Sequence, residues 1–498
     1  MFSDESLEPV YFNSSWKKER YVNECGMQTA ELDVKDVASQ SVKRRHKEVQ
    51  TEEEGDAGFY LADDEAGRLD EFLSHAVPYM CKQLQANFRS QAFHAYNMAL
   101  DEEEEMVSNT HTLCNAALEE QLQVTSLSWN STGAVLAASF GRFDHEDWCT
   151  HKSTLCTWNL DRRKVDPQKA DMTLDVTSCL MCISCHPKQP AYIAGGTFNG
   201  EVMVWDTSRE DEMLVCSSGI GDDSHREPVS KVLWVLDPDS KGQKYLLIST
   251  SSDGKILVWK PDYRRQALKL IDGFALLTES LPRHIRVKAK SSDQEMGVTC
   301  VSFNKDDIST FLMGSESGGI FKCSVQARGT LANTRLKSSV ELRSPVTFCY
   351  EPHHGPVYSV EWCPHHRNLF LSSGMDGTLR IYNLLQAQPM VSVEPALGYL
   401  YSARWSPVRP SVFVVCTEAG KLLIYELKGN RAVLSKVLDT SEKKVPLFSM
   451  QFNAKQRQLL ATGDGLGYIR VWFLSNDLTS PVAKETEALE QLASSILD

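Results

Sequence analysis

The sequence has no run of about 18 apolar residues, so no helix is expected to cross a bilayer. It has no excess of basic charge: Lys and Arg total 52 against 66 Asp and Glu. That deficit argues against the concentrated cationic face that electrostatic binding to nucleic acid or anionic lipid requires. The opening residues, Met1-Phe2-Ser3-Asp4-Glu5, lack the basic and apolar regions of a secretory signal. Fourteen Cys in 498 residues are too sparse for a disulfide scaffold, so reduced thiols in the cytoplasm are expected. No Ser/His/Asp order, nucleophile elbow or paired-carboxylate motif appears in a supporting context, and no catalytic residue is expected.

The charge that is present is unevenly placed. Residues 1–120 hold 25 acidic and 11 basic side chains, whereas residues 121–498 hold 41 of each. The net charge of -14 therefore belongs to the first quarter of the chain. A neutral body carries an acidic arm.

The body is repetitive. A turn, a short alternating stretch and an aromatic recur as Asn199-Gly200 to Trp205, Asp253-Gly254 to Trp259 and Asp376-Gly377 to Tyr382. Further copies run Ala419-Gly420 to Tyr425 and Leu466-Gly467 to Trp472. Two weaker copies end at Trp158 and Cys323. The intervals between these anchors are 47, 54, 64, 59, 43 and 47 residues. A second stretch precedes each one: Val124–Asn130, Val176–Pro187, Pro228–Val235, Gly297–Asn304, Pro356–Pro364, Leu400–Pro407 and Pro446–Asn453. Glycine supplies the positive φ that a tight hairpin needs, and period-2 alternation fits strands packed between sheets.

Together these units resemble WD repeats, over residues 121–474. The literal Trp-Asp pair survives only at Trp205-Asp206, so the repeats are degenerate. The resemblance implies a closed seven-bladed β-propeller. Outer strands are expected at Met172–Val176, Met213–Cys216, Val346–Tyr350, Met390–Val393 and Val433–Val437. After Trp472 the chain favours helix instead. The last blade must then borrow its outer strand from elsewhere, and Thr110–Leu118 is the expected donor.

Residues 1–60 are polar and aperiodic and read as a disordered arm. Two segments share a hydrophobic-Gln-Thr core: Met27, Gln28 and Thr29, and Lys47 with Val49, Gln50 and Thr51. They resemble the peptide ligands of the homodimeric hub light chain of dynein, which bind as added edge strands. Farther on, Leu69, Phe72, Leu73, Ala76, Val77, Met80, Leu84 and Phe88 follow helical spacing. Pro78 predicts a kink or two helices, and Phe93, Tyr96 and Leu100 extend the pattern. An apolar stripe of this kind needs a partner surface.

Degenerate WD repeats behind an arm with Gln-Thr motifs and an amphipathic helix resemble the cytoplasmic dynein intermediate chains. The short arm is closer to those of the dynein that drives retrograde intraflagellar transport than to those of general cargo dynein. The resemblance implies a non-catalytic motor subunit that supports retrograde transport and cilium assembly. Its propeller would bind the heavy-chain tail. Lys47–Thr51, and by similarity Met27–Thr29, would bind the hub light chain. Leu69–Phe88 would bind a roadblock-type light-chain dimer, and a second intermediate chain would complete the assembly. The implied location is cytoplasm and cytoskeleton, and the cilium with its axoneme and basal body. The alternative is a WD-repeat substrate adaptor of a ubiquitin ligase.

No cofactor and no metal are expected. Cys182-Ile183-Ser184-Cys185-His186, with Cys179, matches a haem or zinc spacing, but it aligns with a strand whose alternate residues face opposite ways. His353-His354 and His365-His366 read as solvated loop histidines, and Gly463-Asp464-Gly465-Leu466-Gly467 reads as a hairpin turn. The expected organisation is an all-β, seven-bladed WD-repeat propeller at 108–475. A disordered arm at 1–60 and an amphipathic helical segment at 61–107 precede it, and a partly helical tail at 476–498 follows.

Overall fold

The computed structural model describes residues 63–89, 106–118, 122–145, 148–240, 244–278, 295–330, 336–441, 443–482 and 484–494. The helix Asp63–Arg89 and the sheets from Val107 onward belong to separate units and are described separately.

The alternating stretches become antiparallel meanders. Gln123–Trp129 pairs with Val135–Gly141, that strand with Ser153–Asn159, and that one with Met172–Val176. Three more four-stranded sheets begin at Val298–Phe303, Val357–Trp362 and Leu400–Trp405. A fifth begins at Leu447–Phe452. The sixth has ten strands. In it, the run from Leu180–Cys185 to Leu214–Ser217 joins the run from Val229–Leu236 to Ala267–Ala275 by one parallel register, Ala267↔Ser217. Two short strands, Gly329–Thr330 and Arg343–Ser344, attach to the edge of the second run at Phe274↔Arg343.

The first strands stand side by side in a ring. Gln123–Trp129 lies beside Leu180–Cys185, then come Val229–Leu236, Val298–Phe303, Val357–Trp362, Leu400–Trp405 and Leu447–Phe452, which returns to Gln123–Trp129. The architecture is an all-β propeller.

The expected outer strands are present with small shifts of boundary, at Met172–Val176, Leu214–Ser217, Val346–Cys349, Pro389–Val393 and Arg431–Asp439. Val176 ends one such outer strand and does not begin the next inner strand. The closing strand is Val107–Leu113, in register from Val107↔Leu474 to Leu113↔Ile469. Thr110–Leu118 therefore overlaps the true closure only in its first four residues. The reason is burial: Val107 and Leu113 are the two buried ends of this strand, and the chain turns away after Leu113.

Every first strand carries a register shift at its second or third residue, which extrudes Thr125, Met181, Ser230, Thr299, Tyr358, Tyr401 and Phe448. A bulge re-aims the side chain it extrudes. The third strands do the opposite and bury their closing residues: Trp158, Trp205, Trp259, Cys323, Tyr382, Tyr425 and Trp472 are all buried. The hairpin turns behave as expected, with Gly254 at φ +78 and Gly377 at φ +70.

Hydrogen-bond networks lock these layers. His225 Nε2 lies 2.7 Å from Ser249 Oγ, which also accepts the Trp259 indole N–H at 2.8 Å. His225 Nδ1 faces Asp253 at 3.3 Å. One network thus ties a loop, two strands and a hairpin turn. His353 repeats it, with Ser372 at 2.7 Å and Asp376 at 2.9 Å. His353 is therefore a buried structural residue and not a solvated loop histidine. His365 is also engaged, with Nε2 2.9 Å from the Ser406 carbonyl. Burial opposes charge on the Asp376 carboxyl, but its hydrogen bond to His353 holds it below the ordinary carboxylate range.

The tail holds two helices, Asn476–Thr479 and Glu485–Ser494. Leu489 and Leu492 are buried with Leu369, Leu427 and their neighbours. Arg409 pairs with both Glu485 and Glu426, and its Nη1 donates to the Asp477 carbonyl at 2.6 Å. Ser411 Oγ donates to Glu485 at 2.6 Å. Burial raises the Glu485 carboxyl, but these donors hold it below its ordinary value.

Candidate partner-binding surfaces

Asp63–Arg89 is a single helix of 27 residues, about 40 Å long at 1.5 Å per residue. It runs through Pro78, so the sequence does not divide here into two helices. A proline in a helix removes one backbone hydrogen bond at a cost of about 3 kcal/mol, and regular turns lie on both sides of it. Leu69, Phe72, Leu73, Val77, Met80 and Leu84 are all exposed, Phe72 at 66% and Leu84 at 67%, and Ala76 is half-buried. Phe88 belongs to the helix, but its side chain lies outside the described residues, as do Phe93, Tyr96 and Leu100. Met27, Gln28, Thr29, Lys47, Val49, Gln50 and Thr51 also lie outside them. No helix among the described residues is long and apolar enough to cross a membrane.

The propeller has a cavity at each end of its first strands. Where the strands begin, the bulged side chains line a space of about 630 Å³ together with Phe143 and Lys231. Phe143, Phe448, Tyr401 and Tyr358 form an aromatic arc, with successive ring centroids 4.8, 5.0 and 5.1 Å apart. Lys231 is pulled below its usual value, first by burial and then by Arg404. Where the strands end, Trp234, Trp362, Trp405, Glu361 and Arg404 line a space of about 550 Å³. The sequence pattern did not announce the arc, because Tyr358, Tyr401 and Phe448 read as ordinary strand residues until the bulges turned them inward.

The Cys182 and Cys185 pair forms no ligand set. Cys182 Sγ donates to the Val229 carbonyl and Cys185 Sγ to the Ser128 carbonyl, on neighbouring strands to either side. Burial pushes both thiols up to about 12. Gly463–Gly467 is a hairpin turn, between Leu459–Asp464 and Ile469–Leu474.

Comparison with known proteins extends over both units. The chain is 40% identical to cytoplasmic dynein 2 intermediate chain 2 of Mus musculus over 99% of its own length and 92% of the relative's. The chain belongs to the dynein intermediate chain family. The Homo sapiens protein of the same name is 38% identical over 86% of this chain and 80% of its own. The ciliary dynein intermediate chain 2 of Heliocidaris crassispina is 26% identical over 62% of this chain and 42% of its own. Residues 120–254 match the family described as dynein axonemal intermediate chain 3 WD40 domain, and residues 344–383 match the WD domain, G-beta repeat. This dynein intermediate chain is thus a WD-repeat propeller protein and a subunit of a dynein motor. Nothing in these similarities favours a ubiquitin-ligase adaptor.

Proposed function

We propose that this chain is a non-catalytic scaffold of the dynein that carries out retrograde intraflagellar transport and supports cilium assembly. The observation that carries the reading is the match of about 40% identity that covers the first hundred residues as well as the propeller. A shared propeller alone would indicate only a fold.

In this reading the ten-stranded sheet is two blades joined at their edges, and the ring of first strands makes the propeller seven-bladed. Residues 1–60 are the arm, 61–107 the helical segment, 108–475 the propeller and 476–498 the tail. The propeller binds the heavy-chain tail. Lys47, Val49, Gln50 and Thr51, with Met27, Gln28 and Thr29, bind hub light-chain dimers. The exposed stripe Leu69–Phe88 binds a roadblock-type dimer. Each light-chain dimer has two peptide sites and so clamps a second intermediate chain, identical or different, by avidity. The chain then resides in cytoplasm and cytoskeleton and in the cilium, at axoneme and basal body.

Mass spectrometry of copurified proteins tests this. Full-length chain should recover a dynein heavy chain and both light-chain types, and the chain without residues 1–105, which keeps the closing strand, should recover the heavy chain alone. Recovery of a cullin scaffold in place of dynein subunits would overturn the assignment.

A further inference from the structure

Between the strands Val135–Gly141 and Ser153–Asn159 the chain carries His145, Cys149 and His151. The ligand atoms of these three side chains all lie within 4.8 Å of one another, the one such group among the described residues. We propose that His145, Cys149 and His151 bind a zinc ion at the loop end of the first sheet.

The donor set selects the metal. One thiolate and two imidazoles suit zinc, and hard cations such as magnesium or calcium prefer oxygen. The geometry fits. With Zn–S of about 2.3 Å and Zn–N of about 2.05 Å, a tetrahedral site places S and N about 3.6 Å apart. Cys149 Sγ and His145 Nε2 are 3.8 Å apart. His151 is exposed, so solvent reaches the fourth position and a water completes the tetrahedron. On binding, the Cys149 thiol releases its proton to solvent and its sulfur bonds the metal.

The surroundings hold the ligands in place. Cys149 is 2% exposed. Its backbone N–H donates to Asn199 Oδ1 at 2.9 Å, and Asn199 Nδ2 donates back to the Cys149 carbonyl at 2.9 Å. The Cys179 backbone N–H donates to Cys149 Sγ at 3.3 Å and fixes the position of the sulfur. The His145 ring packs on Phe198 at 4.4 Å. Cys179, Phe198 and Asn199 belong to the next meander, so the metal would fasten the loop of one sheet to the next.

The test uses full-length chain, stripped with a chelator under a phosphine reductant and titrated with zinc chloride against a chromogenic zinc chelator. Wild-type protein should take one equivalent more than the His151→Ala variant, or bind it at least about 10-fold more tightly. His151 is exposed, so this variant should keep the wild-type circular dichroism and melting curve. With cobalt as the probe, wild-type protein should show a thiolate charge-transfer band that Cys149→Ser abolishes. If Cys149→Ser fails to fold, the His151→Ala comparison decides alone. Equal zinc number and affinity in wild type and His151→Ala, or no zinc bound by folded wild type, would overturn the proposal.

Discussion

His186 stands where other sheets carry Asn. Asn453 Oδ1 accepts the backbone N–H groups of Lys455 and Gln456, both at 2.9 Å, and closes the turn after its strand. His186 Nδ1 accepts from Lys188 at 3.1 Å and Gln189 at 2.9 Å in the same way. That duty requires an unprotonated Nδ1. Burial, and then Lys188, pushes the imidazole down to about 4. An unfolded His titrates near 6.5, so the unfolded chain takes up the proton first on acidification. The stability this residue contributes is complete above about pH 6.5 and is lost as pH falls toward 4. His186→Asn keeps the acceptor and removes the titration. Urea midpoints measured across this range should fall less steeply for the variant than for the wild type, and parallel curves would contradict the assignment. The metal trio also belongs to this scale. His145, Cys149 and His151 are spaced i, i+4, i+6, which was legible in the sequence. The Cys182-Cys185-His186 spacing is tighter, but strand geometry disqualifies it.

The strand Val107–Leu113 joins the two ends of the propeller. It was foreseeable in kind, because a chain that turns helical after Trp472 leaves one edge without a partner. Its bounds were less legible, since Thr110, Thr112 and their neighbours alternate weakly and burial at Val107 decides the register. Deleting residues 106–113 should cost about 3–6 kcal/mol from the two buried side chains alone, before the lost ladder hydrogen bonds. Chemical unfolding measures this, and an unchanged midpoint would remove the strand from the closure. Other elements show the same division. Trp205, Trp259 and Trp472 mark their strands because alternation around a buried aromatic is a local signal. Ala267–Ala275 is less legible because a bulge at Ile271 breaks its alternation, and only pairing with Lys255–Asp262 defines it. The contact of Arg409 with Glu485 spans 76 residues, a distance at which no periodicity operates.

At the scale of the molecule, the division of charge matches a division of labour. The balanced residues 121–498 hold all of the propeller except its closing strand, Val107–Leu113, and bury its apolar core between the sheets. The acidic first quarter includes the helix Asp63–Arg89 and its exposed apolar stripe. A helix of this kind gains stability chiefly by packing its apolar face, so the exposed stripe is the feature that most needs a partner. Arm, helix and propeller order carried the family resemblance in the sequence. The bulge-driven aromatic arc and the histidine networks did not, since they arise from register. Native mass spectrometry of the assembled motor complex, with wild-type chain and with the double variant Leu73→Asp, Val77→Asp, tests the central claim most directly. The expected result is loss of one light-chain dimer, with the heavy chain retained and the melting temperature of the propeller unchanged. An intact light-chain complement, or loss of the heavy chain together with the dimer, would contradict the account.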